Sequence, residues 1–200
     1  MIKTFAEWVK SPKKLYIFDF DYTLFNPPDK ADAKYILNRE VSNSYWSEEY
    51  SLEPPLVPVP APIKMLNHEI AREFFNAKKD HNNLIIVLTG RPEKLNKQVK
   101  RILDDYKIHP DKLYLCTMTN TVLNKINIIS DLLDEHTDVE EVHMFDDRGP
   151  KKAKLTEDPT ENHIKEFKEF FKILNIFRRA SNSPEIKIKI NEVLALPPRE

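Results

Sequence analysis

The chain has 200 residues, 40% hydrophobic and 32% charged, with 31 basic against 32 acidic side chains and a formal net charge of −1. That length suits one ordinary domain with a modest insertion, and the near-neutral balance excludes a molecule that holds polyanions non-specifically over its whole surface. A lone cysteine, Cys116, excludes an intramolecular disulfide, and no apolar run approaches the length of a membrane span, so an intracellular setting, cytoplasmic or nuclear, is expected.

Met1 to Lys14 sets Ile2, Phe5, Trp8 and Val9 among Lys3, Lys10, Lys13 and Lys14, which predicts a helix packed on the domain, with an organelle presequence as the competing reading. Leu15-Tyr16-Ile17-Phe18 then reads as a buried strand, and it ends in Asp19, Asp21 and Thr23. In extended chain the two carboxylates point to the same side, where they repel unless a cation lies between them or one takes a proton. The competing reading is a strand ending in a turn, with Asp and Thr chosen for turn propensity.

Residues 26–62 differ in character. Pro27, Pro28, Pro54, Pro55, Pro58, Pro60 and Pro62 remove backbone donors and favour extended, polyproline-like chain. This is a proline-rich insertion after the first strand, expected to act as a lid or small cap, with Tyr45, Trp46 and Tyr50 as its anchors.

Regular alternation follows. Ile63 to Lys79 reads as a helix with Leu66, Ile70 and Phe74 on one stripe and Met65 and Phe75 beside it. Leu84 to Leu88 is wholly apolar, as for a strand buried on both faces, and is closed by Thr89-Gly90-Arg91-Pro92. Pro92 is expected to open the next helix, with Leu95, Val99, Ile102 and Tyr106 inward. Leu113 to Cys116 is a third strand with a buried thiol. A helix capped by Asn120 or Thr121 carries Val122, Ile126, Ile129 and Leu133. Val139 to Phe145 is a fourth strand that again ends in acids, Asp146-Asp147, followed by Arg148.

Asp158-Pro159 with Glu161 resembles a capping box for a helix bearing Ile164, Phe167, Phe171 and Leu174. Ile186 to Ile190 alternates with lysine, as for a strand at a sheet edge, and Leu196 to Glu200 is expected to be a tail. Strand and helix in turn predict an α/β domain with a five-stranded, mostly parallel sheet and right-handed crossovers. Gly90 and Gly149 are the only glycines, so a glycine-rich phosphate loop is excluded.

In such a sheet, Asp19 and Asp21, then Thr89, then Asp146 and Asp147 fall at one edge, with Lys125 near the start of a helix that reaches it. These are the parts of a phosphoryl-transfer site. One carboxylate attacks phosphorus, a second moves the proton, a hydroxyl and an ammonium hold phosphate oxygens, and the remaining acids hold Mg²⁺.

FDFDYT, LTGR with Thr89, and FDDR together resemble the motifs of the haloacid dehalogenase-like (HAD) phosphohydrolase superfamily, with Lys125 in the place of the motif lysine and Lys94 and Lys112 as its competitors. The resemblance implies a Rossmann-like fold and an aspartyl-phosphate mechanism. It makes Asp19 the nucleophile, Asp21 the general acid/base, and Asp19, Asp146 or Asp147, and the Asp21 main-chain carbonyl the holders of Mg²⁺. FDFDYTLFNPP, Trp46, LTGRP, FDDR and the helix from His163 to Phe171 are similar to the HAD domain of Swiss Army Knife RNA repair-like proteins, over roughly Lys14 to Leu194. That similarity implies phosphorylated nucleic-acid ends as a further substrate class, beside a general phosphomonoester.

Thr23, Arg91 and Arg148 are the expected substrate-binding residues. Both arginines have a competing reading as partners of neighbouring acids. His163 is expected to be a polar surface group. Lys151, Lys152, Lys154, Lys165, Lys168, Lys172, Arg178 and Arg179 read as a solvated basic tract balanced by glutamates, with a nucleic-acid groove as the alternative. From a different class, a non-catalytic binding module of the same fold is the rival to an enzyme.

Overall fold

The computed structural model describes residues 12–148 and 162–194. The expected N-terminal helix, the Asp158-Pro159 capping box, Lys151, Lys152 and Lys154, and the C-terminal tail lie outside these residues.

Five strands form one sheet: β1 (Lys14–Phe18), β2 (Asn83–Pro92), β3 (Lys112–Cys116), β4 (Glu141–Asp146) and β5 (Lys187–Glu192). Their order is β3-β2-β1-β4-β5 and every pairing is parallel. The helices are α1 (Lys30–Leu37), α2 (His68–Ala77), α3 (Asn96–Asp105), α4 (Thr121–Glu135) and α5 (His163–Ala180). The chain winds from β1 out to β3, then crosses back to β4 on the other side of β1. With right-handed crossovers this reversal places the helices of the two halves on opposite faces.

Side-chain alternation along the strands shows the result. Leu15 and Ile17 of β1 pack with Ile86, Met144, Ile129 and Leu132 of α4, and Phe167 and Phe171 of α5. Phe18 faces the other way, among Phe74 of α2, Val99 and Ile102 of α3, Phe145, and the insertion residues Tyr45, Leu52 and Val57. Side-chain caps set four helix starts, with Asp29, Asn67, Asn120 and Asn162 accepting from the backbone N–H of Asp32, Ile70, Leu123 and Lys165.

The structure corrects several expectations. Pro92 ends β2, and a 3-10 turn, Glu93–Leu95, intervenes before α3 begins at Asn96. Residues 63–67 are a second 3-10 turn and a cap, so α2 starts at His68; Leu66 instead bridges to Phe25, and Phe75 is 41% exposed rather than inward. The insertion is not a continuous polyproline run. It holds α1, the 3-10 turns Tyr45–Ser47 and Glu49–Leu52, and a succession of turns with cis peptides at Pro54-Pro55 and Val59-Pro60. Tyr45 is fully buried, as an anchor should be, and its hydroxyl donates to the Pro28 carbonyl at 2.9 Å.

Cys116 is buried and free. Among the described residues, no helix is long and apolar enough to cross a membrane.

Candidate active site

The crevice at the carboxyl ends of β1 and β4 lies where the strand order reverses, the position at which open α/β sheets bind ligands. Phe18 and Phe145 are in register across β1 and β4 and their rings stack at 4.8 Å. The ladder continues one bond further, from the Asp19 N–H to the Phe145 carbonyl at 2.9 Å, so Asp19 leaves β1 beside Asp146.

Lys125 comes from the first turns of α4 and is 2% exposed. Its Nζ lies 2.8 Å from Asp19 Oδ1 and 2.8 Å from Asp146 Oδ2. The competing lysines go elsewhere: Lys94 is exposed, and Lys112 pairs with Glu135. Asn124 supports this arrangement. It is buried, and its Oδ1 accepts from the Thr117 N–H and hydroxyl, tying the turn after β3 to the start of α4.

Asp147 joins the group, with one carboxylate oxygen each from Asp19, Asp146 and Asp147 lying within 4.8 Å of one another, all three residues buried. Burial pushes the Asp19 pKa up against the pull of Lys125, and Asp146 and Asp147 push it further, to about 7. Burial would do the same to Asp146, but the Lys125 charge and hydrogen bond, the Arg148 N–H at 2.9 Å and His163 outweigh it and hold Asp146 below its ordinary value. Burial alone would lower the Lys125 pKa, yet Asp146 and Asp19 together hold its ammonium above the usual lysine range. Burial and the two neighbouring carboxylates penalise the Asp19 charge more than Lys125 relieves it, so the site is short of positive charge. Three buried carboxylates at this spacing therefore fit a hard, oxygen-ligated divalent cation.

Asp21 does not share this nest. The chain turns sharply after Asp19, with Tyr22 at φ 56°, its N–H bonded to the Phe25 carbonyl, and Phe25 N–H bonded to the Phe20 carbonyl. The turn directs Asp21 to Arg91, which takes it bidentately through Nε at 2.8 Å and Nη2 at 2.8 Å. Asp21 keeps 20% of its side chain exposed and Asp19 only 8%, so Asp21 is the more accessible of the two to solvent.

Of the expected substrate-binding residues, Arg91 has its donors directed at protein groups, and the competing reading, an ion pair with a neighbouring acid, is the one seen. Thr89 is fully buried and its Oγ1 accepts from the Arg91 N–H at 3.1 Å. Thr23 Oγ1 is buried without a hydrogen-bond partner among the described residues. Arg148 Nη1 lies 3.4 Å from His163 Nε2. His163 is buried, with its ring edge-on to Phe167, not on the surface as expected.

Sequence reasoning missed three contributors: Asn124, and the Trp46 carbonyl and Ser51 hydroxyl that meet Arg91. Asn124 carried a faint signal as the polar neighbour of Lys125; Ser51 carried none.

The fold is that of a Rossmann-like HAD domain. Residues 33–199 match the family described as HAD domain family 1 in Swiss Army Knife RNA repair proteins, and the chain belongs to that family. The matched stretch includes Thr89, Arg91, Lys125, Asp146 and Asp147 and begins after Asp19 and Asp21.

The chain is also similar to two solved chains, at 18% identity to each. The first, in a structure of the Pnkp1/Rnl/Hen1 RNA repair complex, has a TM-score of 0.47 over 90% of this chain and 44% of that one. The second, in a structure of the Pnkp1/Rnl/Hen1 complex, has a TM-score of 0.45 over 94% and 47%. The chain thus spans less than half the length of each. No match is found among curated proteins.

Proposed function

We propose that the chain is a Mg²⁺-dependent phosphohydrolase that moves a phosphoryl group from a phosphomonoester to Asp19 and then to water. The observation that carries this reading is Lys125 held at 2.8 Å from both Asp19 and Asp146, with Asp147 alongside, at the switch point of the sheet.

Asp19 attacks phosphorus through a carboxylate oxygen, and the departing oxygen takes its proton from Asp21. Asp21 then removes a proton from water, which attacks the aspartyl-phosphate and releases inorganic phosphate and the Asp19 carboxylate. Lys125 and Thr89 hold the phosphate oxygens, and Thr23 contributes its hydroxyl near the same turn. Asp19, Asp146 or Asp147, and the Asp21 carbonyl would hold Mg²⁺, which neutralises charge that builds up on the phosphoryl oxygens.

Membership in a family of domains found in RNA repair proteins supports phosphorylated RNA ends as the substrate class. The exposed Lys165, Lys168 and Lys172, spaced three and four apart on α5, offer one basic face for such a chain. Turnover of a phosphorylated RNA end that requires Mg²⁺, stops in EDTA and vanishes in Asp19→Asn is the expected result. Full activity in Asp19→Asn overturns the mechanism, and equal activity on small sugar phosphates and nucleotides overturns the RNA-end assignment. No turnover on a broad panel, with no stabilisation by beryllium fluoride and Mg²⁺, favours a binding module instead.

A further inference from the structure

Arg91 is 2% exposed, and a guanidinium so deeply buried needs partners for its whole donor fork. It finds them in two places. Nε and Nη2 clasp Asp21, while Nη1 donates to the Trp46 carbonyl at 2.6 Å and to Ser51 Oγ at 2.7 Å. The guanidinium also lies 5.0 Å from the centre of the Trp46 ring, which meets the Tyr22 ring edge-on at 5.7 Å.

The part of the insertion that holds Arg91 is itself fastened to α3. Arg101 Nη2 donates to the Leu52 carbonyl at 2.6 Å, and Gln98 Nε2 to Glu53 Oε1 at 2.9 Å. The Ala61 N–H donates to Asp105 Oδ2 at 2.9 Å, and the Tyr106 hydroxyl to the Pro62 carbonyl at 2.9 Å. Residues 45–62 are therefore built as a fixed wall, and Arg91 joins that wall to Asp21.

We propose that Arg91 is a positioning residue through which the insertion orients the Asp21 carboxylate for the second half of the reaction. The proposal rests on the phosphohydrolase reading above. In that half, one water proton passes to Asp21, the water oxygen bonds to phosphorus, and the bond from phosphorus to Asp19 breaks. A planar fork that grips both carboxylate oxygens fixes the plane of the acceptor. Attack by Asp19 on a phosphate with a good leaving group needs little help from Asp21, so the two halves separate experimentally.

The test is pre-steady-state and steady-state hydrolysis of p-nitrophenyl phosphate with Mg²⁺ by wild type, Arg91→Lys and Ser51→Ala, each first shown to be folded by circular dichroism. Loss of orientation slows only the water step, so kcat in Arg91→Lys is expected to fall about tenfold or more while kcat/KM changes less than about threefold, with a burst of nitrophenol close to one per enzyme. Ser51→Ala, which removes one neutral bond and leaves the Trp46 carbonyl in place, is expected to shift kcat the same way by about threefold. Equal falls in kcat and kcat/KM without a burst, or a Ser51→Ala variant identical to wild type, overturn the proposal while leaving the phosphohydrolase reading intact. A folded wild type that releases no nitrophenol overturns that reading instead, and the proposal with it. Should Arg91→Lys not fold, Ser51→Ala decides alone.

Discussion

Replacing Lys125 with methionine keeps most of the stem that packs in α4 and removes the ammonium between Asp19 and Asp146. Deleting one partner of a buried ion pair costs about 3–5 kcal/mol, because the charge left behind has no compensation. Here Asp19 relieves part of that cost by taking a proton, so a loss of about 3 kcal/mol is expected at pH 8 in EDTA. For a chain of this size that lowers Tm by about 6–12 °C.

The loss also has a defined pH dependence. Burial already lifts Asp19 from its ordinary 3.8 to about 7, and Lys125 opposes the lift, so its removal raises the value further. For an acid raised on folding, the contribution to stability is fully present below the unfolded value and is lost as pH rises through the folded one. The deficit of Lys125→Met is therefore smaller at pH 5, where Asp19 is protonated in the variant, than at pH 8. Thermal melts followed by circular dichroism at the two values test this. A drop under about 2 °C at pH 8, or equal deficits at both values, would refute the reasoning.

Mg²⁺ at a hundredfold excess over its dissociation constant is expected to stabilise the wild type by about 2.7 kcal/mol, and Asp147→Asn to lose most of that rise in Tm. Glu141 is held down to about 2 by the hydrogen bond from Lys189, with His143 and Lys14 adding to it against partial burial. Its contribution is present above about 4.5, its unfolded value, and is lost as pH falls towards 2; the Lys189 end is exposed, so Glu141→Gln should cost no more than ~1 kcal/mol in urea melts at pH 7 and nothing measurable near pH 2. Phe18→Ala empties a fully buried ring site between Phe145 and Phe74 and is expected to cost about 3–5 kcal/mol, read from the urea midpoint at constant m-value.

The sheet was legible in the sequence because strands covered on both faces must be apolar at nearly every position. Leu84 to Leu88 is such a run, and the five strands follow from it and its fellows by alternation with helices. The insertion was not legible in the same way. Its two 3-10 turns and its end at Pro62 are held by backbone carbonyls that accept from Arg91, Arg101 and Tyr106, side chains 44 to 49 residues away. A carbonyl accepts whatever residue bears it, so such bonds leave no mark on the segment's own composition. The same holds for the start of α2, where Leu66 fits the helical stripe by spacing yet is drawn into a bridge with Phe25.

The site was legible as an inventory and not as an arrangement. Lys125 stands three residues after Val122 and four before Ile129, so it interrupts the buried stripe of α4, a signal that favours it over Lys94 and Lys112. For the two acids of the first motif, parity along extended chain places both carboxylates on one side and calls for one cation between them. The chain instead leaves the extended conformation at Phe20, between the two acids, where a turn begins whose Leu24 and Phe25 N–H groups donate to the Phe20 carbonyl, and the repulsion is resolved by two cations in two places. Lys125 meets Asp19 within the nest of Asp146 and Asp147, and Arg91 meets Asp21 at the wall of the insertion. The division separates the proposed roles physically, with the nucleophile buried among the groups that gather phosphate and metal, and the proton carrier partly open to water.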